Sequence, residues 1–355
     1  MGLTSVAPEP QPDTTRSTPL RIWVVSDGRA GIENQALGLA EAIAELRPAE
    51  IVVKRLLWPR WARRVPSRLL PASPKFLHVG REGFQPPWPD LWIGNGRASL
   101  PLSIGVRQWS KGETFVVQLQ DPLRPSRLFD LVIPPSHDRL AGDNVFPILG
   151  TPHRVTRARL DLALAEFGAR LAPLPHPRIA VLIGGKAKAY GLSPARAEAL
   201  AGAIRQAVVA CGGALMMTFS RRTPSPARHI LTEGLQDLPG WIWDDTGDNP
   251  FFAFLAAADA ILVTEDSANM PAEAAATGKP VYLLPMDGGQ SRRARFHQAL
   301  EAAGVTRRFS GKIDNWTYEP LRETERAARE VLRRFAIRQH EMVLFRSSAR
   351  RMGEG

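Results

Sequence analysis

The segment Thr264-Glu265-Asp266-Ser267-Ala268-Asn269-Met270-Pro271-Ala272-Glu273-Ala274-Ala275-Ala276-Thr277-Gly278-Lys279-Pro280 carries polar side chains where an apolar run gives way to a helical pattern. Ser267 and Asn269 can cap the helix or donate to a phosphate, and Pro271 suits its first turn. Glu273 lies within that turn, where a carboxylate can accept hydrogen bonds from the two hydroxyls of a ribose. Glu265 and Asp266 complete the polar set. The same residues also serve as an ordinary cap and a dipole partner.

Three further loops have the composition of an anion site. In Gly184-Gly185-Lys186-Ala187-Lys188 two glycines and two lysines suit a diphosphate, although the spacing is not that of a P-loop, and Ser193-Pro194 beyond it is an ordinary helix start. In Ser220-Arg221-Arg222 paired guanidinium groups can bind phosphate bidentately, or form a solvated turn. In Asp27-Gly28-Arg29-Ala30-Gly31-Ile32-Glu33-Asn34-Gln35 the glycines let the backbone approach a ligand, and Asp27 and Glu33 are candidate bases. This loop also reads as a structural strand-to-helix turn. Asn95-Gly96-Arg97, Gln120-Asp121 and His137-Asp138 each follow a short apolar run and can line an acceptor pocket. His137 is the histidine nominated for acid–base work, since imidazole titrates near neutrality.

Positioning such loops requires strands that end beside one another. Short apolar runs rich in β-branched residues, at 21–25, 51–57, 91–94, 114–119 and 131–134, alternate with amphipathic stretches such as 33–46. This is the pattern of a parallel sheet covered on both faces. A run at 145–149 is expected to close the sheet. After a helical stretch at 154–171 and a proline-rich segment at 172–177, the pattern restarts at 178–183 and continues through 215–219, 260–264 and 281–284. The expected organisation is a flexible tail over 1–19, Rossmann-like domains over 20–172 and 176–319, and a helix over 320–355 that crosses back onto the first domain. Ligands of open α/β sheets bind beyond the carboxyl ends of the strands, so the loops above should meet across a cleft.

The bulk numbers agree with a two-domain α/β protein. Of 355 residues 44% are hydrophobic and 23% charged, and the formal net charge is +11. Such a surface attracts anions: nucleic acid, acidic headgroups or phosphorylated small molecules. The single cysteine, Cys211, excludes an internal disulfide, and with no cysteine or histidine cluster in the sequence no metal site is expected. No run of about 18 apolar residues is present, so a cytoplasmic protein is expected. From Lys54 to Lys75 basic residues and large apolar ones interleave without an acid. Arg55, Trp58, Arg60, Trp61, Arg63 and Arg64 form a candidate patch for an anionic membrane surface, which would make the protein peripheral on the inner face. A plain basic loop is the alternative. Nucleic acid is the competing partner, but no nucleic-acid motif accompanies the patch.

The run EDSANMPAEAAATGKPVYLLP resembles the donor segment of GT-B glycosyltransferases, in particular the lipid-acceptor transferase that makes peptidoglycan lipid II. In that family a glutamate just before a run of alanines holds the donor ribose, and Glu273 occupies that position. A wider match runs through SDGRAGIENQALGLAEAI, GNGRAS, QLQDP, IGGKAKAYGLS, TFSRRTP and DSANMPAEAAATGKPV, which together resemble the mitochondrial fission ELM1 family. The resemblance implies a GT-B-like fold with a nucleotide-diphosphate sugar between the domains. Glu273 would hold the ribose, Ser267, Gly185 and Arg221 would face the diphosphate, and a lipid-linked or envelope glycan acceptor would lie on the first domain. Arginines and helix N-termini would stabilise the leaving group without a metal, and no separate cofactor is implied. In the lipid II transferase the first loop ends in Gly-His; here Ile32, which cannot move a proton, stands at the histidine position. That departure keeps a non-catalytic membrane scaffold open as the rival function, with a nucleotide-sugar epimerase as a third.

Overall fold

The computed structural model describes residues 18–80, 83–289 and 292–353, so all but the last two residues of the expected tail lie outside it. The first half contains β1 (Leu20–Ser26), α1 (Ala30–Leu46), β2 (Ala49–Arg55), β3 (Leu91–Asn95), α2 (Leu100–Trp109), β4 (Phe115–Leu119) and β5 (Leu131–Ile133). These strands form one parallel sheet in the order β2-β1-β3-β4-β5. Alternation along β1 shows why the sheet is covered twice. Ile22 and Val24 pack with Leu39 and Ile43 of α1, while Trp23 and Val25 pack on the opposite face with Trp58, Trp92 and Phe129. The run at 145–149, expected as a strand, makes only isolated bridges, Val132 to Val145 and Pro135 to Ile148.

The second half contains α3 (Arg157–Leu171), β6 (Arg178–Ile183), β7 (Tyr190–Gly191), α4 (Pro194–Cys211), β8 (Ala214–Phe219), α5 (Ser225–Leu235), β9 (Gly240–Ile242), α6 (Phe251–Ala257), β10 (Ala260–Thr264), α7 (Asn269–Ala275), β11 (Val281–Leu284), β12 (Asp287–Gly288), α8 (Arg292–Ala302) and β13 (Thr306–Arg308). Its six-stranded parallel sheet runs β13-β11-β10-β6-β8-β9, with β7 and β12 as a separate antiparallel pair. Both halves are Rossmann-like, and the chain is a GT-B-like α/β protein. The final helix, α9 (Glu323–Gly353), returns to the first half, where Ala327, Ala328, Val331 and Phe335 join the core beside α1.

Packing places the crossover ahead of the proline-rich segment. Val155 and Leu171 belong to the cluster of Trp241, Phe254 and Leu255, so α3 is physically part of the second half and the chain crosses at about residues 150–156. The prolines stiffen the lead into β6 instead of separating domains. Strand order reverses between β1 and β3 in one sheet and between β6 and β10 in the other. Those are the two switch points beyond which an open α/β sheet binds ligands. No helix among the described residues is long and apolar enough to cross a membrane.

Candidate functional site

At the second switch point, the loops after β6, β8 and β10 are pinned together by one carboxylate. Asp266 is fully buried. Its Oδ1 accepts from the Thr264 hydroxyl at 2.7 Å, and its Oδ2 accepts from the Gly185 N–H at 3.0 Å and pairs with Arg222 Nη2 at 2.8 Å. The Gly184 N–H donates to Thr264 Oγ1 at 2.7 Å, and the Thr223 hydroxyl donates to the Gly184 carbonyl at 2.6 Å. A Cβ on Gly184 would stand 2.0 Å from Asp266 Oδ1, and one on Gly185 would stand 2.1 Å from the Arg222 carbonyl. Both glycines are therefore required by loop crossing. Gly185, expected to face a diphosphate, spends its N–H on Asp266, so it has no backbone donor left for one.

The cations divide into two groups. Arg222 is occupied by Asp266 and also donates to the Lys186 carbonyl at 3.3 Å, while its own N–H is held by Ser220 Oγ. Arg221, Lys186 and Lys188 are exposed at the same strand ends, and no hydrogen bond or ion pair to their side chains is found among the described residues. Those three are the groups available to an anion.

In the loop after β10, Ser267 Oγ caps α7 by accepting from the Met270 N–H at 3.2 Å. Glu265 Oε1 accepts from the Met286 N–H at 2.8 Å, and its carbonyl accepts from His297 Nε2 at 2.8 Å. Glu273, on α7, is 9% exposed. No hydrogen bond or ion pair to its carboxyl is found among the described residues. Burial alone pushes that carboxyl up to about 7. A buried carboxyl in that position is the kind of group a ligand hydroxyl can satisfy.

Asn269, expected on the donor side, instead joins the two halves. Its Oδ1 accepts from Gln35 Nε2 at 2.7 Å and from the Thr151 hydroxyl at 3.3 Å, and its Nδ2 donates to the Gly31 carbonyl at 2.9 Å. Gln35 Oε1 in turn accepts from Asn95 Nδ2 at 2.9 Å and Gln120 Nε2 at 2.8 Å. One amide network thus ties the ends of β3 and β4 and the start of α1 to the loop after β10. Gln120 holds a left-handed backbone, φ 62°, a strained geometry common at functional sites. Asn269→Ala is expected to cost about 1–2 kcal/mol and to raise amide hydrogen exchange over residues 31–35; unchanged exchange would show that other contacts hold the halves.

The remaining candidates fall in different places. Glu33 is held as a carboxylate by Arg55, at 2.7 and 2.8 Å, which lowers its pKa and fixes its charge. Such a group is a poor proton acceptor, so the structure removes Glu33 as a free base. Asp27 pairs with Arg29 at 2.8 Å and lines a cavity of about 410 Å³ with Leu56, Trp58, Leu70 and Arg97. His137 lies 3.5 Å from Asp138, its ring packs on Phe296 at 5.4 Å, and its carbonyl faces Arg295 of α8; it is a contact between the halves. Arg97 Nη2 donates to the Ala62 carbonyl at 3.3 Å and to the Val65 carbonyl. Asp121 Oδ1 accepts from the Leu123 N–H at 2.8 Å. Asn34 is half-buried. Gly28 and Gly96 both hold left-handed backbone, φ 75° and 77°, and a Cβ on Gly96 would meet Ile32 at 3.1 Å. Ile32 is thus the lid of the β3 turn. Sequence reasoning did not assign the roles that Thr264, Thr223 and Arg55 hold in these loops, and it passed over His297. Of these only His297, 3% exposed on a polar helix, leaves a signal in its residue type.

Comparison with known proteins places this arrangement among relatives. A family model described as Mitochondrial fission ELM1 matches residues 30–335. The chain is 29% identical over 289 residues, 74% of its length and 67% of the other's, to mitochondrial fission protein ELM1 of Arabidopsis thaliana. It is 27% identical over 368 residues, 90% of its length and 99% of the other's, to uncharacterized protein RP120 of Rickettsia prowazekii. Among solved structures, UDP-GlcNAc 2-epimerase from Neisseria meningitidis bound to UDP-GlcNAc is similar with TM-score 0.52 and 13% identity, covering 88% of this chain and 99% of that one. Spinosyn forosaminyltransferase SpnP is similar with TM-score 0.51 and 13% identity, covering 92% and 100%. At such identities the shared property is the fold.

Proposed function

The chain belongs to the mitochondrial fission ELM1 family, and from that premise and the cleft geometry we propose that it binds a nucleoside-diphosphate sugar between its halves and transfers the sugar to an acceptor on the first half. The observation that carries this reading is Glu273, a buried carboxyl to which no donor is found among the described residues, on the helix that follows the second switch point. Ribose hydroxyls would donate to it, and Arg221, Lys186 and Lys188 would neutralise the diphosphate. The sugar neighbours of the fold, one carrying UDP-GlcNAc, support the ligand class. Of the three acid–base candidates Asp27 lines a cavity large enough for an acceptor headgroup. Its carboxylate is paired with Arg29, so that ion pair would have to open on acceptor binding. Asp27 would then take the proton of the acceptor hydroxyl as that oxygen attacks the anomeric carbon and the bond to the diphosphate breaks. The apolar wall of Leu56, Trp58 and Leu70 favours a lipid-linked acceptor.

A thermal-shift screen against nucleoside diphosphates and their sugars tests the proposal. A ligand at about 100 times its dissociation constant adds about 2.7 kcal/mol to stability. Arg221→Ala is expected to weaken that ligand about tenfold without changing the unliganded melting temperature; equal affinity in both proteins would remove Arg221 from the site.

A second reading has its own observation. Ile32 stands where the lipid II transferase has histidine, and Glu33 is immobilised by Arg55. A binding protein that recruits partners without turnover fits both facts. The two readings separate on whether a bound nucleotide sugar releases nucleoside diphosphate when acceptor lipids are added.

A further inference from the structure

Residues 56–80, which follow β2, form an excursion with two sets of large apolar side chains. Leu57 and Val79 close its neck by an antiparallel bridge. Prolines break it into three single turns, Arg60–Arg63, Ser67–Leu69 and Pro74–Phe76. Trp58, Ala62, Leu70 and Leu77 point inward and join the core with Trp23, Val25 and Trp92. Trp58 also donates to the Ala98 carbonyl at 2.9 Å. The outward set is Leu57, Trp61, Leu69, Phe76 and Val79, with Trp61 53% and Leu69 67% exposed. Inward packing is already complete, so the outward residues are not spare core.

Two observations extend this face. Leu123, 78% exposed, is presented on a left-handed backbone with φ 51°, held by the Asp121 carboxylate on its N–H. Its loop and residues 66–68 wall a common cavity of about 480 Å³. The charge is one-sided: Arg60, Arg64, Arg68 and Lys75 are exposed, no ion pair to them is found among the described residues, and no acid occurs from Lys54 to Lys75. The patch read from the sequence is therefore revised. Arg55 is committed to Glu33, Trp58 is buried, and the Arg63 side chain lies outside the described residues.

We infer that this face, Trp61, Leu69, Phe76 and Leu123 ringed by Arg60, Arg64, Arg68 and Lys75, docks the protein on an anionic lipid bilayer. Apolar side chains enter the headgroup boundary while guanidinium and ammonium groups meet the phosphates. A soluble acidic partner would need the charges but not five outward apolar groups. Arg97 ties the docked loop to the end of β3 through the Ala62 and Val65 carbonyls, so docking sets the first switch point against the bilayer. The inference goes beyond the nucleotide-sugar reading, and none of the exposed residues that form the docking face belongs to the site proposed there.

Flotation of the full chain with vesicles tests it without any nucleotide, so failure here leaves the donor site untouched. The protein should float with mixed phosphatidylglycerol–phosphatidylcholine vesicles at low salt, not with phosphatidylcholine alone, and should be released by high salt. R60E/R64E/R68E and, separately, W61S/L69S should each reduce binding about tenfold or more, with unchanged melting temperature, because all five side chains are exposed. Flotation that ignores both variants would overturn the inference, as would no flotation of the wild type. A concentration-dependent dimer abolished by W61S/L69S, without vesicle binding, would assign the face to a second copy of the chain.

Discussion

Glu273→Gln is expected to raise the unfolding free energy of the unliganded protein by about 3 kcal/mol at pH 8, and to leave it nearly unchanged at pH 4. Burial lifts the folded carboxyl from its ordinary 4.5 to about 7. Below pH 4.5 both states carry the proton and the residue adds no penalty. Between 4.5 and 7 the unfolded chain releases the proton while the folded chain keeps it, so stability falls as pH rises. Above 7 the full penalty is present. Glutamine has the same shape and never ionises, so it removes the penalty. It sacrifices no partner, since no hydrogen bond or ion pair to Glu273 is found among the described residues. Urea unfolding at pH 4, 6 and 8 gives the difference directly. Superimposable curves at pH 8 would show that the carboxylate is already satisfied in the folded state.

The second large effect lies at Asp266. Asp266→Ala is expected to cost about 2–5 kcal/mol, because it strands the Gly185 N–H and the Thr264 hydroxyl in a buried place and releases Arg222. Three loops lose their common pin, so binding should fall together with stability. Arg222→Ala should follow the same pattern in weaker form, since its guanidinium is half exposed. Arg221→Ala should separate the two properties, lowering affinity alone. Equal melting temperatures for Asp266→Ala and the wild type would mean that the loops are held by their glycines and not by the carboxylate.

The contrast between Arg221 and Arg222 marks how far sequence reasoning reaches. Composition and spacing placed both at a strand end, and that placement is correct. Which one is spent on Asp266 depends on the loop after β6 crossing the loop after β10, an approach of residues 80 positions apart that no local pattern encodes. The same holds for Asn269 and Gln35, whose bond spans 234 positions. The buried strands were legible because β-branched runs such as RIAVLI admit few other readings. β13 was not, because Thr306-Arg307-Arg308 is polar at all three positions and pairs only as an edge. α2 was hidden by Gly105, unfavourable within a helix in isolation, and by Pro101, which reads as a break although it stands in the first turn, where proline is tolerated. Here Gly105 admits the Trp109 ring, 2.4 Å from where its Cβ would stand.

Calorimetric titration of nucleoside diphosphates into the wild type and Glu273→Gln at pH 8 addresses the central claim most directly. One nucleotide should bind the wild type saturably and the variant at least about tenfold more weakly, although the variant is the more stable protein. Identical affinities in the two proteins, or no binding by the wild type across the nucleotide panel, would contradict a donor site built around that buried carboxyl.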